Sequence, residues 1–153
     1  METGVLEAVA GVRACVFTLG GEGFAIEVRC AREVVIVDEL TIVPRGPSYL
    51  VGVANLRGLI LPIVDIRALL GLAPRPVGRG ARVLVVAAGS NQVGVAVDAV
   101  LGLTSFDEVL PFGEAARRAY GEFGVGLARH GDGLVKLLDA GKALEALKRG
   151  GGD

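Results

Sequence analysis

The feature that most constrains this chain is a series of short β-rich runs that returns, in the same order, about 70 residues further on. Gly23-Phe-Ala-Ile-Glu-Val28 is echoed by Gln92-Val-Gly-Val-Ala-Val97, and Asp38-Glu-Leu-Thr-Ile-Val-Pro44 by Asp107-Glu-Val-Leu-Pro111. Gly52-Val-Ala54 returns as Gly126-Leu-Ala128, and Leu61-Pro-Ile-Val-Asp65 as Val135-Lys-Leu-Leu-Asp139. Shared order and spacing together point to a duplicated five-strand unit. Each copy alone is too small to bury much apolar surface, so the copies should share an interface.

The local pattern agrees with a strand-rich chain. Val12 to Leu19 and Phe24 to Val28 predict a hairpin across the turn Gly20-Gly-Glu-Gly23, with Phe24, Ile26 and Val28 alternating as in a half-buried strand. Cys30 to Glu33 reads as a short helical turn, and Val34 to Val43 as an extended run stopped by Pro44. Two strands flank Arg57-Gly58 within Val51 to Ile66, residues 67–72 make one helical turn, and the Pro/Gly-rich stretch 73–80 is the best linker. Arg82 to Ala88 and Gln92 to Val97 predict a second hairpin, and Ser105 to Pro111 a mixed connection. Ala115 to Tyr120 reads as helix, Val125 to Ala128 and Leu134 to Leu138 as strands, and Ala140 to Lys148 as a closing helix. Residues 1–12 read as a loose lead and 151–153 as a disordered tail. Many short strands between turns indicate an all-β barrel or sandwich. One domain over 1–150 is expected, made of two intertwined barrel-like halves, approximately 13–80 and 81–148.

Composition narrows the function. The net charge is −1, aromatic residues make up 5% of the chain and Trp is absent. Nucleic-acid sites need a basic surplus and stacking platforms, so no nucleic-acid partner is expected. Arg75, Arg79 and Arg82 cluster among Pro and Gly as in a solvated loop. No apolar run reaches the roughly 18 residues of a membrane span, so no membrane insertion is expected. Met1-Glu-Thr-Gly lacks the start of a signal peptide, which makes the cytoplasm the default location. Cys15 and Cys30 are isolated, and with His130 they supply too few ligands for a zinc site. Neither metal nor cofactor is expected.

The catalytic inventory is equally thin. Asp65 and Asp139 each follow a strand and precede a helical segment, where an Asp caps exposed N–H groups. His130, in Arg129-His-Gly-Asp-Gly133, lies in a turn without a nucleophile beside it, and no phosphate-binding loop follows a strand. Arg57 is open to two readings: a surface arginine in a turn, or a partly buried guanidinium gripping a carboxylate, for which Glu33 is the candidate. Gly58 supplies a backbone shape that larger residues resist.

The run Ala54-Asn-Leu-Arg-Gly-Leu-Ile-Leu-Pro-Ile-Val-Asp-Ile-Arg67 resembles the signature of the CheW-like family, and the resemblance extends over residues 13 to 148. The hairpin Val16-Phe-Thr-Leu19 to Phe24-Ala-Ile-Glu-Val28 is similar too, as are Val93-Gly-Val-Ala-Val-Asp-Ala-Val100 with Leu103, and Gly126-Leu-Ala128 with the strand and helix after it. Residues 112–125 depart from the family pattern. The resemblance implies two SH3-like five-stranded β-barrel subdomains with short helices and a C-terminal helix. It further implies a non-catalytic adaptor coupling the cytoplasmic tip of a chemoreceptor to the regulatory domain of a histidine kinase, associated with membrane-bound receptor arrays. Two family positions carry over, Glu33 and Arg57, which are expected beside the partner-binding surface and paired with each other. A receptor groove between the barrels would involve Val28, Ala31, Val97 and Val100. Family domains also occur fused to kinases or to receiver domains; because this chain ends within a few residues of the domain, a free-standing coupling protein is expected. The competing readings are a small-barrel binder of nucleic acid or oligosaccharide and a hydrolase built on His130.

Overall fold

Two segments are apolar on both faces: Val12–Leu19 (β1) and Ala81–Ala88 (β6) are buried almost throughout. Such strands must be covered on each side, which places them between two cores. The computed structural model, which describes residues 11–150, shows how. The other strands are β2 (Glu22–Glu27), β3 (Ala31–Val37), β4 (Leu50–Leu56), β5 (Leu59–Val64), β7 (Asn91–Val97), β8 (Ala99–Phe106), β9 (Gly124–His130) and β10 (Gly133–Leu138). Helix α1 (Glu114–Tyr120) precedes β9, and helix α2 (Ala140–Gly150) follows β10.

The strands form two five-stranded sheets, ordered β8-β1-β2-β10-β9 and β3-β6-β7-β5-β4. Exchanging β1–β5 for β6–β10 turns one order into the other, so the duplication seen in the sequence is a duplication of topology. Neither sheet is built from one sequence half. The first takes β1 and β2 from residues before 80 and β8, β9 and β10 from those after it, and the second is composed the other way round. Each sheet holds one parallel pair, β2 with β10 and β5 with β7, where the two halves meet. Each is drawn closed by one isolated bridge, Thr41 to Val53 in one case and Leu110 to Leu127 in the other. The result is two SH3-like barrels that have traded strands.

The cores follow from strand alternation. Inside the β1-containing barrel lie Ala14, Val16, Ala25, Phe106, Val109, Ala128, Val135 and Leu137. Inside the other lie Val37, Ala54, Leu61, Ile63, Val83 and Val85. The alternate residues of β1 and β6, among them Phe17, Leu19, Leu84 and Val86, face a third cluster that joins the barrels and is roofed by Ala143, Leu144 and Leu147 of α2. Asp139 starts that helix as a cap, its Oδ1 accepting the Lys142 N–H at 2.9 Å.

Several local expectations change. The turn expected over Cys30 to Glu33 is a 3-10 turn at Val28–Cys30, and Ala31 already pairs with Val86 in β3. The extended run to Val43 ends as regular strand at Val37; only Thr41 beyond it pairs, with Val53. Strand β8 is not among the expected strands and takes Ser105 and Phe106 out of the expected connection. Its alternation is broken by a register shift opposite Val16/Phe17 and by Gly102 at φ +120°. The expected lead lies almost wholly, and the expected tail entirely, outside the described residues.

Candidate functional site at the end of the β3–β7 barrel

Strands β4 and β5 pair so that Leu56 faces Leu59, leaving only Arg57 and Gly58 to make the turn. Both adopt left-handed backbone, φ +51° and +86°, as a two-residue hairpin turn that follows the strand twist requires. Asn55 completes it: its Oδ1 accepts the Gly58 N–H at 2.8 Å. Asparagine two residues ahead of the arginine thus fixes the turn, a role the sequence reading does not assign although an Asn close to Arg-Gly signals it.

From this tip the Arg57 guanidinium reaches across the barrel end to Glu33 on β3, and the two form an ion pair. The pairing expected for these residues is present, but the enclosure is not. The Arg57 side chain is 68% exposed, because a hairpin tip has nothing above it. Its hydrogen bond to the Glu33 carboxylate, and then the attraction of that charge, raise the Arg57 pKa further above its ordinary range. The guanidinium is therefore always charged, and it is held in one direction while open to solvent.

The equivalent turn of the other barrel lies between His130 and Gly133, with Gly131 at φ +62° in the place of Arg57. The place of Glu33, beside the register shift of β3, is taken there by Gly102 of β8. An arginine thus occupies a backbone conformation for which the second copy uses glycine, and the ion pair belongs to one barrel only. Exposed ion pairs add little to stability, and left-handed backbone costs some. Stability does not explain Arg57; presenting a fixed guanidinium does. Around it Leu59 and Ile60 are 65% and 66% exposed, and Val34 and Ile36 face outward from β3. Between β3 and β4 runs an open groove lined by Ile36, Asp38, Asn55, Leu56 and Arg79.

The four apolar residues expected to line a groove fall at the two places where the chain crosses between barrels. Val28 and Ala31 flank the β2–β3 crossing, and Val97 and Val100 the β7–β8 crossing. Val97 is buried, whereas Ala31 and Val100 are half-buried against the same inter-barrel cluster. Val28 is half-buried in the 3-10 turn.

The remaining candidates are brought to other places. Asp65 accepts the Arg67 N–H at 3.0 Å and pairs with its guanidinium. His130 faces Gly133 across its turn. Arg79 donates to the Asp38 carbonyl and Arg82 to the Asp98 carbonyl, so these two arginines serve the fold. Phe17, Phe24, Phe106 and Phe123 are buried, and Tyr49, Phe112 and Tyr120 are half-buried, which leaves no aromatic platform on the surface among the described residues.

The CheW-like domain family model matches residues 13–148. A chemotaxis protein CheW from Klebsiella aerogenes is 32% identical over 86% of this chain and 80% of its own length. The protein FrzA of Myxococcus xanthus is 33% identical, with 76% of this chain and 75% of that protein covered. Protein PilI of Pseudomonas aeruginosa is 34% identical over 74% of this chain and 67% of its own. In fold the chain is similar to the scaffolding protein TtCheW from Thermoanaerobacter tengcongensis, with a TM-score of 0.67, 24% identity, and 84% and 88% of the two chains covered. With its two strand-exchanged barrels and the Arg57 turn in place, the chain belongs to the CheW-like domain family.

Proposed function

We propose that this chain couples the cytoplasmic tip of a chemoreceptor to the regulatory domain of a histidine kinase, with Arg57 and Glu33 at or beside the working surface. Family membership makes it a non-catalytic scaffold of chemotaxis signalling. The observation that carries the finer reading is the left-handed Arg57, fixed by Asn55 and Glu33 where the duplicated turn has Gly131. A directed, permanently charged guanidinium rimmed by exposed Leu59 and Ile60 has the composition of an interface centre. The half-buried Val28, Ala31 and Val100, with Val97 behind them, supply the apolar positions for a receptor helix pair between the barrels. Through the receptor the adaptor would join membrane-bound arrays, although no helix among the described residues is long and apolar enough to cross a membrane.

A pull-down from its own organism tests this, with purified chain as bait and receptor tips and kinase regulatory domains as prey. Wild type is expected to capture both. Arg57→Ala is expected to weaken capture, by about tenfold or more in affinity if Arg57 is an interface hot spot. Capture of neither partner by folded protein would refute the coupling role, and undiminished capture by Arg57→Ala would refute the site.

A further inference from the structure

The chain crosses between the barrels twice, at matching places in the two repeat units, and the crossings are held very differently. At the β7–β8 crossing every polar atom of Asp98 is bonded. Its N–H donates to the Thr18 carbonyl at 2.9 Å, and its own carbonyl accepts from Arg82 Nη1 at 3.0 Å. Its Oδ1 accepts from Arg67 Nη2 and its Oδ2 from the Gly20 N–H, both at 2.8 Å. Thr18 and Gly20 belong to the β1–β2 hairpin of one barrel, whereas Arg82 is on β6 of the other and Arg67 follows its β5. Arg67 is the one charged residue buried among the described residues, 5% exposed, and Asp65 holds its second arm at 3.2 Å. Burying a guanidinium is costly even when paired, and what such a group contributes is a defined geometry more than stability.

The β2–β3 crossing has none of this. Arg29 stands in the place of Asp98; it is exposed and pairs only with Glu27, two residues back at the end of β2. Gly141 stands in the place of Arg67 and has no side chain to offer. The 3-10 turn Val28–Cys30 lacks a side-chain cap and ends on one local hydrogen bond, Ala31 N–H to the Val28 carbonyl.

We propose that Arg67 and Asp98 form an inter-barrel lock that makes the β7–β8 crossing rigid and leaves the β2–β3 crossing, Val28–Ala31, as the compliant one. Adjustment of the barrels to a partner then takes place about Val28–Ala31; that consequence rests on the adaptor reading, whereas the inequality of the crossings does not.

Amide hydrogen exchange by NMR on the full chain, without partner, tests the lock. Wild type is expected to exchange at residues 98–101 at least about tenfold more slowly than at 28–31, the scale set by hydrogen bonds to charged groups. Asp98→Asn, and separately the volume-conserving Arg67→Met, should raise exchange at Gly20 and 98–101 by about the same factor and leave 28–31 unchanged. Equal exchange at the two crossings in wild type overturns the proposal, and this comparison needs no variant to fold. It is also overturned if a folded variant raises exchange at both crossings alike or at neither. Adding a receptor-tip fragment separates the two readings: absence of binding counts against the adaptor alone and leaves the exchange contrast to decide the lock.

Discussion

At Gly94 a single missing methyl decides how one barrel is filled. A Cβ there would lie 2.5 Å from Val83 Cγ1 and 2.7 Å from Ile63 Cδ1. The matching place in the other barrel is Ala25, which shares its core with Ala14 where this barrel has Val83. One barrel sets a glycine beside Val83, and the other sets two alanines, Ala25 and Ala14, in the matching places. Gly94→Val is therefore expected to cost about 1–3 kcal/mol or more by overpacking, read as a lower urea midpoint. Arg57→Gly should behave in the opposite way. It relieves a left-handed side chain and loses only an exposed ion pair, so its melting temperature should match or exceed that of wild type while partner capture falls. Burial pushes the Cys15 thiol above its ordinary pKa of 9.0. The unfolded chain ionises there first, so the stabilising contribution is complete below pH 9.0 and is lost as pH rises through the higher folded value. Melting scans at about pH 8 and pH 10, on either side of the unfolded thiol's pKa, should show a larger drop for wild type than for Cys15→Ala.

At the scale of elements, α2 depends on its first turn. Asp139 accepts the Lys142 N–H through Oδ1, and its own N–H donates to the Phe123 carbonyl at 2.7 Å. The side-chain bond caps the helix and the main-chain bond ties its start to the segment before β9. Asp139→Ala should cost about 1 kcal/mol, within the range of lost N-caps, and Asp139→Asn should restore most of it; paired urea titrations decide both. Helix α1 fills the connection between Leu110 and Leu127, the stretch that departs from the family pattern. Tyr120 at its end packs tilted against Phe112 and edge-on against Phe123 and, with Phe24, flanks the Lys136 ammonium, which pairs with Glu22. These contacts anchor a segment whose sequence shows little strand or core patterning.

For the whole molecule, the strand exchange has a consequence that no single element shows. A fragment of residues 13–80 holds β3, β4 and β5 without β6 and β7, and β1 and β2 without their three partners. It should fail to give a dispersed amide NMR spectrum. Residues 31–97 contain a complete five-stranded sheet, but their inter-barrel face, with Val64, Leu84, Val86 and Val95, would lie bare. That fragment should form sheet and self-associate, visible by light scattering, and a compact monomer from it would contradict the shared-core account.

The sequence by itself determined the duplication, most of the strands and the turn at Arg57-Gly58, because these are written in local alternation, in turn residues and in repeated order. It also offered Glu33 as the carboxylate for Arg57, first from residue chemistry and again through resemblance. It did not determine which strands share a sheet, since β1 and β6 are apolar on both faces and a pattern without alternation cannot say which residues look into a barrel and which across to its neighbour. Strand β8 stayed hidden for a related reason: a bulge and Gly102 shift its alternation midway. The exposure of Arg57 and the burial of Arg67 were likewise decided only in three dimensions. Both are arginines among apolar residues, but one sits on a hairpin tip with nothing above it. The other lies where two barrels and a crossing strand close around it and supply Asp65 and Asp98 as partners.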